Sequence, residues 1–423
     1  MTGLVAVLDG TEVGRLRQTK GRLSFQYADS WRLANGAYPM SLSMPLAQAD
    51  HPHSPVEAFL WGLLPDNDAV LRRWGRQFGV SDRNPFALIR EVGEDCAGAV
   101  QFIPEDRAND DRPGTIAWLT EDEVAERLRL LRDDAATGRL SGDLGQFSLA
   151  GAQPKTALLF DGQRWGVPSG RIPTTHILKP ALPNFDGHVE NEHICLNLAR
   201  AFGFPAARSE ARMFGDQQAI VVERYDRVGA GPIRRVHQED LCQALAVHPS
   251  RKYQADGGPG PVQIAALLRA TVTPTAVATD SATFRDALIF NWLIGGTDAH
   301  AKNYSLLIGQ GGAVRLAPLY DIATALVYPG TDPLKLRMAM SIGSEYRLAR
   351  IGRPQWQKLA ATCRMDDAAL ISRIAEMAAT LPDLLSDEIR RARAVGLVHP
   401  VLDRMMEALT ARAQTIERLV ADG

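Results

Sequence analysis

The chain has little cysteine, no long apolar run and no dominant sign of charge, and each shortage removes a class of protein. Among its 423 residues, the four cysteines Cys96, Cys195, Cys242 and Cys363 lie far apart with no C-x-x-C pair. That argues against a zinc site or a disulfide framework and suits a reducing compartment. No apolar stretch approaches the ~18–20 residues that span a bilayer. The opening "MTGLVAVLDG" lacks the basic start and long apolar core of a signal peptide. A cytoplasmic protein with no membrane contact is expected. Formal net charge is −2, so no global positive field would draw nucleic acid. Internal repeats and low-complexity tracts are also missing.

What is present is an ordinary globular composition, 45% hydrophobic and 23% charged, long enough for two or three packed lobes. The first hundred residues read as β-rich with short helices. "LVAVLDGTEVGRL" carries a D-G turn between alternating apolar segments, and "SPVEAFLWGLLP" and "NPFALIREVG" look helical. "TEDEVAERLRLLRDD" is a signalled helix, with Thr120 as cap and Glu123 completing a capping box. Strand character returns in "KTALLFDGQRWGVP", "THILKP" and "AIVVERYDR", interrupted by the helix "GHVENEHICLNLARAFG", which stops at Gly203. Beyond 235 helical periodicity dominates, in "HQEDLCQALAV", "PVQIAALLRAT", "SATFRDALIFNWLIGG" and the region from Pro354 onward. The strand-like pair in "YSLLIGQGGAVRLAPLYDI" is the exception. The expected order is a β-rich subdomain over 1–110, a mixed lobe over 111–225 and a helical lobe over 226–423.

The densest chemistry lies in "GGTDAHAKNYSLL". Asp298, His300, Lys302 and Asn303 fall within six residues between two apolar runs. A capped turn would explain one of them, and a metal site would need further ligands from elsewhere. A phosphoryl-transfer loop accounts for more. Asp298 and Asn303 have the five-residue separation of the base and the magnesium-binding amide in a kinase catalytic loop. Lys302 could neutralise the transferring phosphoryl group. His300 is grouped with the nucleotide contacts, a structural part in positioning the loop being equally open. Asp321, after the following hairpin, would be a second magnesium ligand, although it stands in D-I-A rather than D-F-G.

A nucleotide needs further partners. Lys179 on "THILKP" could meet the phosphates, braced by Glu190 or Glu192, unless those acids merely decorate an exposed helix face. In "FSLAGAQPKTALL" the small residues Ala150, Gly151 and Ala152 would let backbone N–H groups approach phosphate. Ser148 and Lys155 flank them, and the segment is no Walker A motif. "VVERYDR" fits a hinge whose backbone and Glu223 meet adenine. The segment His237–Asp240 reads as a cap for the helix after it.

Assembled, the segments "SLAGAQPKTAL", "THILKP", "ENEHICLNLA", "VVERYDR", "HQEDLCQALAV", "KYQADGGPG", "GGTDAHAKNYSLL" and "LAPLYDIA" resemble the HipA family of bacterial serine/threonine protein kinases, the toxin half of HipA–HipB pairs. They cover about 146–325, while "GRLSFQY" and "GLLPDN" resemble the family's N-terminal subdomain. The resemblance implies an α+β, protein-kinase-like two-lobed fold with an extra β-rich N-terminal subdomain and an all-helical C-terminal lobe. It implies ATP and Mg2+ as cofactors, Asp298 as base, Asn303 and Asp321 as metal ligands, and Lys179 on the phosphates. It puts Glu223 and Tyr225 at the adenine hinge, Asp226 near the ribose, and autophosphorylation at Ser148. The implied partners are a HipB-like DNA-binding antitoxin, with DNA reached only through it, and a protein substrate of the aminoacyl-tRNA synthetase class, glutamyl-tRNA synthetase especially. A co-repressor with little kinase activity is the alternative. A small-molecule kinase is a third reading, disfavoured by the N-terminal subdomain and the Ser148 loop.

Overall fold

Asp9 and Gly10 both take positive φ, 48° and 79°, the pair that a two-residue type I′ turn requires. The strands Leu4–Leu8 and Thr11–Thr19 therefore fold back on each other with Leu8 opposite Thr11. They form part of an antiparallel five-stranded sheet in the order 50–51, 22–27, 11–19, 4–8, 100–104. Strand Arg22–Tyr27 alternates, so that Leu23, Phe25 and Tyr27 point inward. Helix His53–Leu63 packs on that face, and Leu16, Phe25, Phe59 and Phe102 are fully buried between them. The computed structural model describes residues 3–108, 114–133, 148, 150–151, 153–229 and 232–421.

A second core forms around a six-stranded sheet in the order 209–214, 217–223, 176–180, 156–160, 165–168, 116–119. Its helix Glu121–Asp133 starts in the expected capping box. Thr120 N donates to Glu123 Oε2 at 2.7 Å, and Glu123 N donates to Thr120 Oγ1 at 3.3 Å. Val124 and Leu128 from this helix meet Leu158, Trp165, Leu178 and Val221.

Both cores belong to one compact unit comprising Met1–Pro180, Arg212–Ser250 and Ser305–Val314. The other unit comprises Ala181–Ala211, Arg251–Tyr304 and Arg315–Gly423. The range 226–423 is therefore divided. One reason is the segment His237–Asp240, which is a strand and not the first turn of a helix. It pairs with Ser305–Gly309, which in turn pairs with Ala313–Leu316. Long-range bonds override its local helical pattern: His237 Nε2 bonds Met40 O at 2.8 Å, and Glu239 accepts from Leu42 N at 2.8 Å and from the Ser41 hydroxyl. The expected cap does form, because Asp240 accepts from Cys242 N and Gln243 N while Gln243 Oε1 accepts from Asp240 N. The helix it caps is one turn, Leu241–Ala244.

The second unit is mainly helical: His188–Ala201, Pro261–Thr271, Val277–Ile294, Arg353–Cys363, Asp367–Ala394 and Pro400–Ala421. One hairpin, Arg337–Ile342 with Glu345–Arg347, turns at Gly343 (φ 56°) and Ser344 (φ 76°) and breaks the all-helical expectation locally. Glu190 and Glu192 lie on the buried side of their helix, 2% and 1% exposed, and do not decorate its surface.

Burial pushes the Glu239 carboxyl up to about 8, against the hydrogen bonds from Ser41 and Leu42. An unfolded glutamate loses its proton near pH 4.5, so the folded chain holds one extra proton across pH 4.5–8, and its stability falls as pH rises through that window. Glu239→Gln keeps the acceptor for Leu42 N and a bond to Ser41, and removes the titration. Urea unfolding is expected to give a flatter stability profile between pH 5 and 8 for Glu239→Gln than for wild type; parallel profiles would discard the assignment.

Candidate active site

Helix Val277–Ile294 stops at Gly295, whose φ of 66° turns the chain out of the helix; a Cβ there would lie 2.7 Å from Leu326 Cγ. The polar loop begins here, and its own bonds shape it. His300 N donates to Asp298 O at 2.8 Å, and Asn303 N donates to His300 O at 2.9 Å. Asn303 Nδ2 donates to Asp298 O at 2.9 Å. This last bond fixes which end of the amide is which, leaving Oδ1 as the ligand end. Asp298 itself is exposed, and the Tyr253 hydroxyl donates to its Oδ1 at 2.6 Å.

A second tyrosine brings in Asp321. The Tyr320 hydroxyl donates to Lys302 O at 2.6 Å, which seats the next residue beside the Lys302–Asn303 segment. Asp321 is exposed and holds φ at 57°. Aspartate tolerates that left-handed region better than most residues, and such conformations gather at functional sites. Asp298, Asn303 and Asp321 all belong to the second unit, where Tyr320 ties the residue before Asp321 to the Lys302 carbonyl. Tyr253 and Tyr320 are the functional residues that spacing did not reveal; both sit inside quoted motifs, "KYQADGGPG" and "LAPLYDIA", without a role of their own.

His300, expected with the nucleotide contacts, is only 4% exposed, and its ring stands edge-on to Tyr253 at 5.0 Å. That geometry makes it a support for the tyrosine that holds Asp298. Lys302 is 5% exposed. Among the described residues no three His, Cys, Asp or Glu side chains form a preformed metal cage. A magnesium ion does not need one, since it keeps several waters and binds through one or two carboxylates together with substrate phosphates. One amide oxygen and one exposed carboxylate fit that demand.

The first unit gathers the remaining candidates. Lys179 lies on strand His176–Pro180, opposite Ile220 of strand Gln217–Glu223, and is 6% exposed rather than solvated. Glu223 ends that strand opposite His176 and is exposed. The Tyr225 hydroxyl donates to Gln238 Oε1. In the small-residue segment, Lys155 Nζ donates to Ala150 O at 2.6 Å, and Gly151 takes φ 104° with its carbonyl accepting from Asp66 N. The positive φ of Gly151 is what favours glycine there, since the nearest atom to an added Cβ is the mobile end of Lys155. Ala152 lies outside the described residues. Ser148 is fully buried; its N donates to Asp95 O at 3.0 Å and its hydroxyl to Leu63 O at 2.7 Å.

Asp226 departs from expectation. Instead of facing a ribose, it is 2% exposed inside an ionic cluster. Its carboxylate is taken by Arg224 and Arg227, each at 2.9 Å, and by Gly98 N at 2.7 Å. Asp95 completes the cluster, with Arg227 at 2.8 Å and Arg235 at 3.1 Å on Oδ1 and Thr174 Oγ1 at 2.6 Å on Oδ2. Burial works to raise the Asp95 carboxyl, and Arg227, Arg224 and Arg235 hold it well below the usual carboxylate range instead.

Comparison with known proteins decides the family. The HipA-like C-terminal domain model matches residues 147–385 and the HipA N-terminal domain model residues 4–103. The chain belongs to the HipA family of kinases. Y4mE of Sinorhizobium fredii, assigned by name to the kinases, is 37% identical over 83% of both chains. The serine/threonine-protein kinase toxin HipA of Shewanella oneidensis is 28% identical over 94% of this chain and 89% of its own. A solved HipA structure from that organism, in a toxin–antitoxin complex with HipB and operator DNA, superposes with a TM-score of 0.84 at 26% identity, covering 99% of this chain and 98% of the other. Among the described residues, no helix is long and apolar enough to cross a membrane.

Two outcomes follow for this HipA chain. Tyr253→Phe keeps the ring against His300 and removes the solvent-exposed bond that orients Asp298. A fall in kcat of about tenfold with an unchanged melting temperature is expected in steady-state phosphorylation assays; full activity would release Tyr253 from this role. Asp95→Ala leaves three buried guanidiniums facing one carboxylate, and guanidinium chloride unfolding should register a loss of about 3–5 kcal/mol. A loss within the ±0.5 kcal/mol typical of surface sites would mean the cluster does not support the fold.

Proposed function

We propose that this HipA-family chain is an ATP- and Mg2+-dependent serine/threonine protein kinase and the toxin of a toxin–antitoxin pair. The observation that carries the reading is the loop in which the Tyr253 hydroxyl and the Asn303 amide hold exposed Asp298, with Tyr320 tying the residue before Asp321 to Lys302. Asp298, exposed and oriented by Tyr253, accepts the proton of the acceptor hydroxyl. Asn303 and Asp321 would hold magnesium, which when bound neutralises charge on the phosphates. Lys302 assists from beneath the loop. Lys179 meets the nucleotide phosphates, with backbone groups around Gly151 beside them, and Glu223 and Tyr225 form the adenine hinge. Because Asp226 is spent on Arg224 and Arg227, no ribose contact is assigned to it.

Ser148 is the proposed autophosphorylation site. The toxin role, a HipB-like partner and a target among the aminoacyl-tRNA synthetases rest on the family resemblance, and the HipB complex of the Shewanella relative supports the partner. The same complex favours a second, compatible reading, co-repression together with the antitoxin.

Radiolabelled ATP tests the chemistry. Wild type should label itself, Asp298→Ala should lose activity by roughly 10²–10⁴-fold, and Ser148→Ala should lose the self-label while still modifying a protein acceptor. Equal labelling of wild type and Asp298→Ala would sink the catalytic assignment; full self-labelling of Ser148→Ala would move the site.

A further inference from the structure

The hairpin Arg337–Ile342 and Glu345–Arg347 plays no part in the chemistry above, yet it is fastened to the catalytic loop. Ala339 N donates to Thr297 O at 3.0 Å, immediately before Asp298. A second tie runs from Ser341 N to Gln254 Oε1 at 2.7 Å, next to Tyr253. Both bonds lie within the second unit. The inner strand is apolar and buried at Met338, Ala339 and Met340, whereas Arg337 at its start is exposed.

The charge pattern of this hairpin is costly as pure structure. Arg337 pairs directly with Arg347 in the register, and like charges directly opposite each other destabilise a strand pair. Arg350 follows on the next turn, and all three arginines are exposed. Among the described residues none of the three has an ion-pair partner; Arg337 rests over the Tyr346 ring at 5.2 Å, which leaves its hydrogen-bond donors available. The one acid in the outer strand, Glu345, spends Oε1 on the backbone N–H groups of Tyr346 and Arg347, and its charge is felt by Arg350 and Arg347. Three guanidiniums against that one carboxylate leave an excess of positive charge, which suits a carboxylate-bearing ligand.

We propose that Arg337, Arg347 and Arg350 form a substrate-docking face that selects acceptor segments carrying acidic residues near the phosphorylated serine or threonine. The inference rests on the kinase reading and names the substrate class for that site. Arg337 is two residues from the strand position bonded to Thr297, about 7 Å along the strand. The reach of an arginine side chain adds roughly as much again, and an extended peptide advances about 3.3 Å per residue, so the recognised acids lie roughly three to five residues from the acceptor. A nucleic-acid contact is the less favoured occupant, because the chain carries a net charge of −2 and long polyanions are gathered by extended positive fields.

The test uses two fluorescein-labelled serine peptides, one with glutamates and one with glutamines three to five residues from the serine. Anisotropy reads binding, and steady-state assays read turnover. Wild type should bind the glutamate peptide about tenfold more tightly at low salt, with the preference shrinking at 0.5 M salt. Arg337→Glu combined with Arg347→Glu should raise KM for that peptide about tenfold, with kcat, KM for ATP and melting temperature unchanged. Equal affinity of wild type for both peptides, or an unaltered preference in the double variant, overturns the docking face. Loss of salt-sensitive duplex-DNA binding by the variant, with peptide KM unchanged, also overturns it and reassigns the arginines to nucleic acid. If wild type binds the glutamate peptide selectively but no ATP, the kinase reading fails separately.

Discussion

Five buried charges hold the first unit in its working shape. Asp95 and Asp226 face Arg224, Arg227 and Arg235 with almost no access to water. Ions taken out of water are tolerated only when partners and hydrogen bonds replace the lost hydration. Here nearly every oxygen is used, by guanidiniums, by Thr174 and by Gly98 N, and the arginines also bond the carbonyl of Cys96. Such a set has one satisfactory arrangement, so it fixes relative positions that packing alone would leave adjustable. It fixes three pieces of chain: 95–98 from the N-terminal part, Thr174 before strand His176–Pro180, and Arg224, Asp226, Arg227 and Arg235 after strand Gln217–Glu223. Lys179 and Glu223 inherit their placement from that arrangement.

The contrast with the second unit is instructive. There the polar loop proposed as catalytic is held by neutral donors. The Tyr253 hydroxyl and the Asn303 amide bond Asp298, the Tyr320 hydroxyl bonds the Lys302 carbonyl, and the carboxylates of Asp298 and Asp321 remain exposed. An aspartate buried among arginines is a poor base, because its proton affinity is held down. An aspartate at the surface, oriented by one phenol, is open to an approaching hydroxyl. The two uses of aspartate in this protein are therefore set by surroundings, and residue type alone does not separate them.

That is also why the sequence was legible in some places and not in others. Local signals read correctly: the Asp9–Gly10 turn and the Thr120–Glu123 box. Each depends on neighbours within a few residues. The misreadings depend on partners far along the chain. His237–Asp240 looks helical until Met40 and Ser41 are placed beside it. Asp226, which the family resemblance puts near the ribose, is enclosed by Gly98 and the flanking arginines. For Glu190 and Glu192 the sequence leaves a brace for Lys179 or an exposed face open, and the helix buries both. The hairpin at 337–347 shows no clean alternation, since its inner strand is buried along most of its length.

Ser148 links the local and distant levels. Its N–H sits on the carbonyl of Asp95 and its hydroxyl on the carbonyl of Leu63, in a position closed to solvent. A phosphate there would replace a donor with three acceptor oxygens and add nearly two negative charges. The Leu63 carbonyl would then face only acceptors, and the enclosed volume would have no water to screen them. The segment could not keep its seat. Leaving it would also free the Asp95 carbonyl, one residue from the Cys96 carbonyl that Arg224 and Arg227 grip. A covalent change at one serine would thus be felt where the hinge is anchored, through two adjacent peptide groups. The buried cluster gives that path its stiffness, because none of its members can shift alone without stranding a charge.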